Sequence, residues 1–303
     1  MESTCIKVKD ITKDYGNHKG IFNVSFEIKE GEVFGFLGPN GAGKTTTIRH
    51  ILGFSKTDSG EVIIDGLNTW KHPANMDGKI GFLPGEIAFP EDMTGTEYIK
   101  FIGNLQGLTD YTRADELIKM FGIDTSGKIK KMSKGMKQKV GIVTAFMNKP
   151  PILILDEPTS GLDPLMQKQF IALVEQEKKR GATILLSSHM FQEVERTCDR
   201  VAIIKNGIIV SELNITDIKH NENKRYKIEF IKASDYDKFN KEDLKISCKE
   251  ADKKHVVVNV KDEDINEFFH ILNKYEIKYF SEIKNSLEDY FMSFYGEDKK
   301  NDK

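Results

Sequence analysis

Residues Gly38 to Thr46, Gly-Pro-Asn-Gly-Ala-Gly-Lys-Thr-Thr, constrain the fold more than any other stretch of the chain. They follow the apolar run Val33–Leu37, which reads as a strand, and precede Thr47-Ile-Arg-His-Ile-Leu, which reads as a helix. Gly38 to Thr45 fit the pattern G-x-x-x-x-G-K-[ST], a loop whose backbone N–H groups turn inward to cradle a phosphate chain. Small residues are required because a Cβ would obstruct that approach. The following helix aims its positive N-terminus at the same anion. Asn40, Gly41, Gly43, Lys44, Thr45 and Thr46 are therefore candidate nucleotide contacts, with Lys44 reaching the β/γ-phosphates and the Thr45 hydroxyl ligating Mg²⁺.

The remaining composition excludes several alternatives. Charged residues make up 30% of the 303 and balance to a formal net charge of −2, so no global basic field points to nucleic acid. The N-terminal Met-Glu-Ser-Thr-Cys-Ile has no apolar core of a secretory signal. The longest apolar runs are far shorter than the roughly 20 residues a membrane span needs, so a membrane would be reached through a partner. Cys5, Cys198 and Cys248 have no metal or redox spacing and read as ordinary thiols in a reducing compartment.

Alternation of Phe22, Val24, Phe26 and Ile28 predicts a strand with one buried face. Ser59–Gly66 and Ile80–Leu83 predict short strands. From Thr94 to Phe146 the pattern turns helical (Thr96–Leu105, Thr112–Phe121, Ser133–Phe146), with Thr112 and Ser133 as expected N-caps. Ile152–Leu155, ending in Asp156-Glu157-Pro158, reads as a strand covered on both faces. A helix from Pro164, a strand at Thr183–Leu186, a short helix and a hairpin around Asn206-Gly207 complete a layered α/β core with a helical insertion at about 94–146. Residues 1–214 form this domain.

Composition shifts in residues 215–303. Residues 221–303 hold 17 basic and 19 acidic residues, yet also 13 of the 28 Phe and Tyr, which argues for a folded α+β extension rather than a disordered tail. Strands are expected at Tyr226–Ile231, Val256–Val260 and Ile277–Phe280, with helices over Ile265–Leu272 and Leu287–Tyr295. The last residues, 297–303, read as a frayed end.

The acidic pair turns nucleotide binding into catalysis. Asp156, at a strand end, can reach the metal-water shell held by Thr45, and Glu157 can orient or deprotonate a water attacking the γ-phosphate. His189 stands at the end of another strand, where open α/β sheets place their ligands, and is a candidate hydrogen-bond donor to the γ-phosphate.

With these motifs, residues 3–213 resemble the ATP-binding subunit of an ABC transporter. Met132-Ser133-Lys134-Gly135-Met136-Lys137-Gln138 resembles the signature motif of that family, Ser160-Gly161-Leu162-Asp163 its D-loop, and His189 its switch histidine. Tyr15 stands where the family stacks an aromatic ring on adenine. The resemblance implies an ATPase with ATP and Mg²⁺ as cofactors, built as a composite site. Two subunits, most simply identical, close head to tail so that Ser133 and Gly135 of one clamp the γ-phosphate held by Lys44 of the other, with Asp163 in the D-loop. It further implies a separate transmembrane permease, export of cargo such as amphipathic peptides or drugs, and a peripheral place on the cytoplasmic face of a bacterial membrane. The alternative class is a soluble ABC ATPase in a non-transport process, ribosome-associated or acting as a regulatory or immunity switch.

Two departures stand out. The signature reads Met-Ser-Lys-Gly-Met rather than Leu-Ser-Gly-Gly-Gln, keeping the serine and the second glycine. Where the family has a glutamine after Ile80–Pro84, this chain has Gly85 followed by Glu86, either a partial replacement or a plain surface turn. The loop Glu86–Met93 and the helical block are where the resemblance places the permease, with Phe89, Pro90, Met93 and Tyr98 as an apolar patch or as local core. The extension weakly resembles those of exporter ATPases and is expected to regulate or dimerise.

Overall fold

The computed structural model describes residues 3–72, 78–90, 92–219, 223–283 and 286–296; the end expected to fray lies outside them. The chain divides into two compact units, Met1–Ile215 and Thr216–Lys303.

In the first unit, β1 (Thr4–Asp14), β2 (Gly20–Lys29), β4 (Ser59–Ile64) and β5 (Leu67–Asn68) form an antiparallel sheet in the order β2-β1-β4-β5. The second sheet has the order β10-β9-β3-β8-β7-β6, from β3 (Val33–Leu37), β6 (Ile80–Leu83), β7 (Ile152–Asp156), β8 (Thr183–Ser188), β9 (Arg200–Lys205) and β10 (Ile208–Asn214). Its β3, β6, β7, β8 and β9 run parallel, and β10 is an antiparallel edge closed by a tight turn. Both turn residues have positive φ, 50° at Asn206 and 78° at Gly207, which is the geometry that an Asn-Gly hairpin favours. Every residue of β3, β7 and β8 is buried, including the polar ends of β7 and β8, as expected of central parallel strands.

The core between the two sheets is built on Phe26, which stacks on Phe34 with ring centroids 5.2 Å apart and tilts against Phe36 at 5.3 Å. The alternation expected along β2 holds for Val24, Phe26 and Ile28 but breaks at Asn23, whose φ is 50°. The pairing register with β1 slips there, so Ile21 is buried and Phe22 turns partly outward.

The phosphate loop leads into α1 (Lys44–Ile51). The inserted block holds α2 (Gly95–Leu105), α3 (Thr112–Phe121) and α4 (Lys134–Phe146). Helix α2 starts earlier than its apolar spacing suggested, because Thr94 and Glu97 form a reciprocal capping box. Thr112 is not a cap. It is the first residue of α3, and both its N–H and its hydroxyl donate to Asp110, at 2.9 and 2.6 Å, the carboxylate being the stronger acceptor. Ser133 does cap α4, accepting the Met136 N–H at 3.2 Å. The remaining helices of this unit are α5 (Pro164–Lys179) and α6 (Phe191–Thr197), with α7 (Ile215–Lys219) at the junction.

The second unit is a four-stranded antiparallel sheet, order β12-β13-β11-β14, from β11 (Asn223–Phe230), β12 (Lys245–Glu250), β13 (His255–Lys261) and β14 (Ile277–Ile283). Helices α8 (Ala233–Phe239) and α9 (Ile265–Leu272) supply Tyr236, Phe239, Phe268 and Leu272 to its own core, against Tyr226, Ile228, Phe230, Val256, Val258 and Val260. Helix α10 spans Leu287–Gly296. Neither α8 nor β12 was legible beforehand.

Candidate nucleotide site

The phosphate loop is shaped by what lies beneath it. Gly43 has φ 112°, and a Cβ there would stand 2.9 Å from Ile21 Cγ2, so only glycine fits without displacing the sheet. The next residue opens α1. Lys44 is buried and its Nζ donates to the Gly38 and Pro39 carbonyls, at 2.6 and 3.2 Å, folding the side chain back over the loop. The same Nζ lies 3.0 Å from Glu157 Oε1.

The parallel register β3-β8-β7 brings three strand ends to this loop. Asp156, the last residue of β7, is almost wholly buried, and its Oδ2 accepts the Thr45 hydroxyl at 2.7 Å. Its other oxygen accepts the Ser187 hydroxyl from β8. Glu157 follows with φ 49°, a left-handed conformation that a non-glycine residue rarely adopts. That turn is held by its N–H, which donates to the Ser187 carbonyl and hydroxyl, both at 3.1 Å. Glu157 Oε2 lies 2.6 Å from His189 Nδ1, while Oε1 keeps Lys44 as an ion-pair neighbour without an aligned hydrogen bond. A buried carboxylate oxygen with a free lone pair is thereby left at the floor of the site.

Above these groups opens a cavity of about 940 Å³, whose lining includes Asn40, Gly41, Gly43, Thr45, Thr46 and Glu157. Lys44 lines it as well, and Tyr15, 59% exposed, stands at the same cavity as a free aromatic face. Sequence reasoning missed His18, Lys19, Gly20, Phe22, Asn206 and Ile208, which complete the lining. Phe22 reaches it because of the slip at Asn23, and Asn206 because the β9–β10 hairpin packs over the loop, with the Gly207 N–H donating to the Ala42 carbonyl at 2.9 Å. The available signal was the Asn-Gly turn, read only as a turn.

Ser133, Gly135 and Asp163 do not line this cavity. The N-terminal part of α4 is instead joined to the segment after Glu157. Gln138 donates to the Pro158 carbonyl at 2.9 Å, and Lys134 to the Ser160 hydroxyl at 3.0 Å. A Cβ on Gly135 would stand 2.6 Å from the Gly161 carbonyl oxygen, so glycine permits that close approach. Asp163 caps α5, accepting the Leu165 and Met166 N–H groups at 3.0 Å. At the second departure, Gly85 lies against Asp156, where an added Cβ would be 3.2 Å from Oδ2, whereas Glu86 is exposed. Phe89 and Tyr98 pack edge to face at 4.8 Å, as local core would.

The family model described as ABC transporter matches residues 21–160. The bacitracin transport ATP-binding protein BcrA of Bacillus licheniformis is 38% identical over 227 residues, covering 74% of each chain. This chain belongs to the ABC transporter ATP-binding family. As a member it is an ATP-binding transporter subunit with the ABC ATPase fold, and its chemistry is ATP hydrolysis. The linearmycin resistance ATP-binding protein LnrL of Bacillus subtilis (strain 168) is 39% identical over 70% of each chain. An uncharacterized relative from the same organism, YhcH, is 33% identical over 98% of this chain and 97% of its own, so similarity runs through the second unit too. Among solved structures, an ATP-binding subunit of an ABC transporter is 34% identical with TM-score 0.66, covering 71% of this chain and 92% of the other. The dimeric ATP-binding cassette MJ0796 bound to ADP and Pi is 26% identical with TM-score 0.60, over 69% of this chain and 98% of its own. No helix among the described residues is long and apolar enough to cross a membrane.

Proposed function

We propose that this ABC ATPase powers export through a separate transmembrane permease, working as a head-to-tail dimer of identical chains at the cytoplasmic face of a bacterial membrane. The observation that carries the composite site is the division of its motifs. The cavity gathers the phosphate loop, Tyr15 and Glu157, while Ser133 and Gly135 stand elsewhere on the same chain. For Ser133 and Gly135 to reach the γ-phosphate in the closed state, they would have to come from a second copy, while Lys44 and His189 act from the same chain.

In this reading the adenine stacks on Tyr15 and the loop amides hold the phosphates. Lys44 exchanges its loop carbonyls for β/γ-phosphate oxygens. The Thr45 hydroxyl and the Asp156 carboxylate, two oxygens already 2.7 Å apart at a helix N-terminus, suit a hard divalent cation and would hold Mg²⁺, which neutralises developing phosphate charge when bound. Glu157 takes a proton from the attacking water, and His189 donates to the γ-phosphate. Asp163, at the start of α5, completes the contact between the two copies.

Cargo of the antimicrobial or amphipathic peptide or drug class is supported by the names of two relatives, one for bacitracin transport and one for linearmycin resistance. The exposed side chains of Phe101 and Leu105, one turn apart on α2, add to Pro90 and Met93 as an apolar surface for the permease. The second unit, with its own core, regulates or stabilises the dimer.

The test is affinity capture of Glu157→Gln from detergent-solubilised host membranes with ATP, a substitution that preserves the closed dimer by stopping hydrolysis. A polytopic membrane protein in stoichiometric amount supports the export reading and identifies the permease. Recovery of ribosomes, or of the chain alone from the soluble fraction, overturns it in favour of a soluble ATPase.

A further inference from the structure

Glu193 is an acidic side chain that the mechanism above does not use, yet it is 5% exposed, in the first turn of α6. Its Oε2 accepts the Ser188 hydroxyl at 2.5 Å. The Ser188 oxygen in turn accepts the Met190 N–H at 2.9 Å, so one hydroxyl fastens the chain on both sides of His189. The Ser188 carbonyl accepts the Gly38 N–H at 3.3 Å, which ties the same residue to the start of the phosphate loop. Thr159, two residues beyond Glu157, borders the same cavity as Glu193, and its hydroxyl reaches Met190 Sδ at 3.8 Å. One buried carboxyl thus binds the segment that carries His189 and shares a cavity with the segment after Glu157. Between them His189 Nδ1 and Glu157 Oε2 meet at 2.6 Å.

We propose that Glu193 is a positioning residue for ATP hydrolysis, holding His189 against Glu157 by fixing Ser188 and, through it, Met190 from behind. The inference rests on the reading that Glu157 and His189 act on the attacking water and the γ-phosphate. Glu193 touches no substrate in this arrangement and acts only through the segment that carries His189. The Ser188 hydroxyl proton is satisfied only while an acceptor occupies the Glu193 position, and that bond fixes the rotamer in which the Ser188 oxygen accepts the Met190 N–H. Without it Ser188 is free to rotate, and the residue between Ser188 and Met190 loses its fixed orientation. A cavity of about 240 Å³ bordered by Thr159, Met190 and Glu193 gives the loop room to move when the carboxyl is gone.

The test compares steady-state ATP hydrolysis of the full chain with Mg²⁺ for Glu193→Ala, Glu193→Gln, Ser188→Ala and His189→Ala, and for Glu193→Ala combined with His189→Ala. Glu193→Ala is expected to lower kcat about tenfold or more while KM for ATP changes less than about threefold, since the phosphate loop and Tyr15 are untouched. Glu193→Gln, which still offers Ser188 an acceptor, is expected within about threefold of the parent kcat. In the His189→Ala background, Glu193→Ala is expected to cost less than about twofold more, because its effect passes through His189. Ser188→Ala reads the same coupling should Glu193→Ala fail to fold. The proposal is overturned by a kcat within about twofold of the parent for the alanine variants, or by the same fold loss with and without His189. Glu157→Gln run alongside separates the two levels: if that variant hydrolyses normally the reading beneath fails, and if it is inactive while Glu193→Ala is normal only the present inference fails.

Discussion

Replacing Glu193 with glutamine should change how the stability of the nucleotide-binding unit depends on pH. Burial pushes the Glu193 carboxyl up from 4.5 to about 7, the Ser188 and Thr159 hydroxyls pulling the other way and Glu157 adding to the rise. Below pH 4.5 the group is protonated in folded and unfolded chains alike and contributes nothing to pH dependence. As pH rises through that value the unfolded chain ionises freely while the folded chain keeps its proton, so stability is lost until about pH 7, where the folded group ionises too. At about 1.4 kcal/mol per pKa unit the full loss is on the order of 3 kcal/mol. Glutamine cannot titrate, so its stability minus that of the parent should climb by about 2–3 kcal/mol between about pH 5 and pH 8.5. The assay is urea denaturation at both pH values, followed by Trp70, the chain's one tryptophan, which lies in this unit. A difference constant within about 0.5 kcal/mol, or one that falls with pH, would refute the assignment of a buried, proton-retaining carboxyl.

Three further outcomes are expected. Thr45→Val removes the hydroxyl that meets Asp156 and should abolish most of the Mg²⁺-dependent tightening of ATP, while Mg²⁺-free binding changes little; titration with and without the cation checks it. Tyr15→Ala should weaken ATP binding by about 0.5–1.5 kcal/mol, roughly threefold to tenfold in Kd, and weaken a triphosphate lacking a base by much less. Gln138→Ala leaves the buried Pro158 carbonyl without its 2.9 Å donor and should lower ATPase activity with little effect on monomer nucleotide affinity, read by hydrolysis and equilibrium binding on the same preparation.

The catalytic elements were legible because each carries its own chemistry in a short run. Gly38–Thr46 needs small residues before a lysine, β7 is apolar until Asp156, and β8 runs apolar over Ile184–Leu186 before its serines. What was not legible depends on contacts distant in sequence. Phe22 faces the cavity only because Asn23 breaks the alternation of β2 against β1, and no local pattern announces a bulge. Glu193, within Gln192-Glu193-Val194-Glu195-Arg196, looks like one more surface charge on a helix, and its burial follows from α6 packing under β8. In the second unit, α8 and β12 are so rich in charge that their periodicity is weak. Helix α8 is held by Phe239, which joins a three-ring cluster with Phe230 and Tyr275 at 5.0 and 5.4 Å, and β12 by its antiparallel pairing with β13. The capping box at Thr94 was present as Thr-Gly-Thr-Glu and would have moved the start of α2 to its observed place.

The wiring inside one chain also bears on how two sites would communicate. Gln138 and Lys134 bind the segment that follows Glu157, and Gly135 lies against the Gly161 carbonyl. In the proposed head-to-tail dimer Ser133 and Gly135 of a chain face the nucleotide of its partner, while Glu157 of that chain faces its own. A shift of α4 as it engages the partner's γ-phosphate would therefore pull on Pro158 and Ser160, and through them on the strained turn at Glu157. That turn has little slack, because its N–H is held by Ser187, whose hydroxyl also binds Asp156. Closure at one site would thus be felt at the base and the metal ligand of the other through direct hydrogen bonds, with no long relay needed. Gly85 fits the same logic: without a side chain at that position, Asp156 takes its orientation from Thr45 and Ser187 alone among the described side chains, so the signal to it runs through α4 and β8.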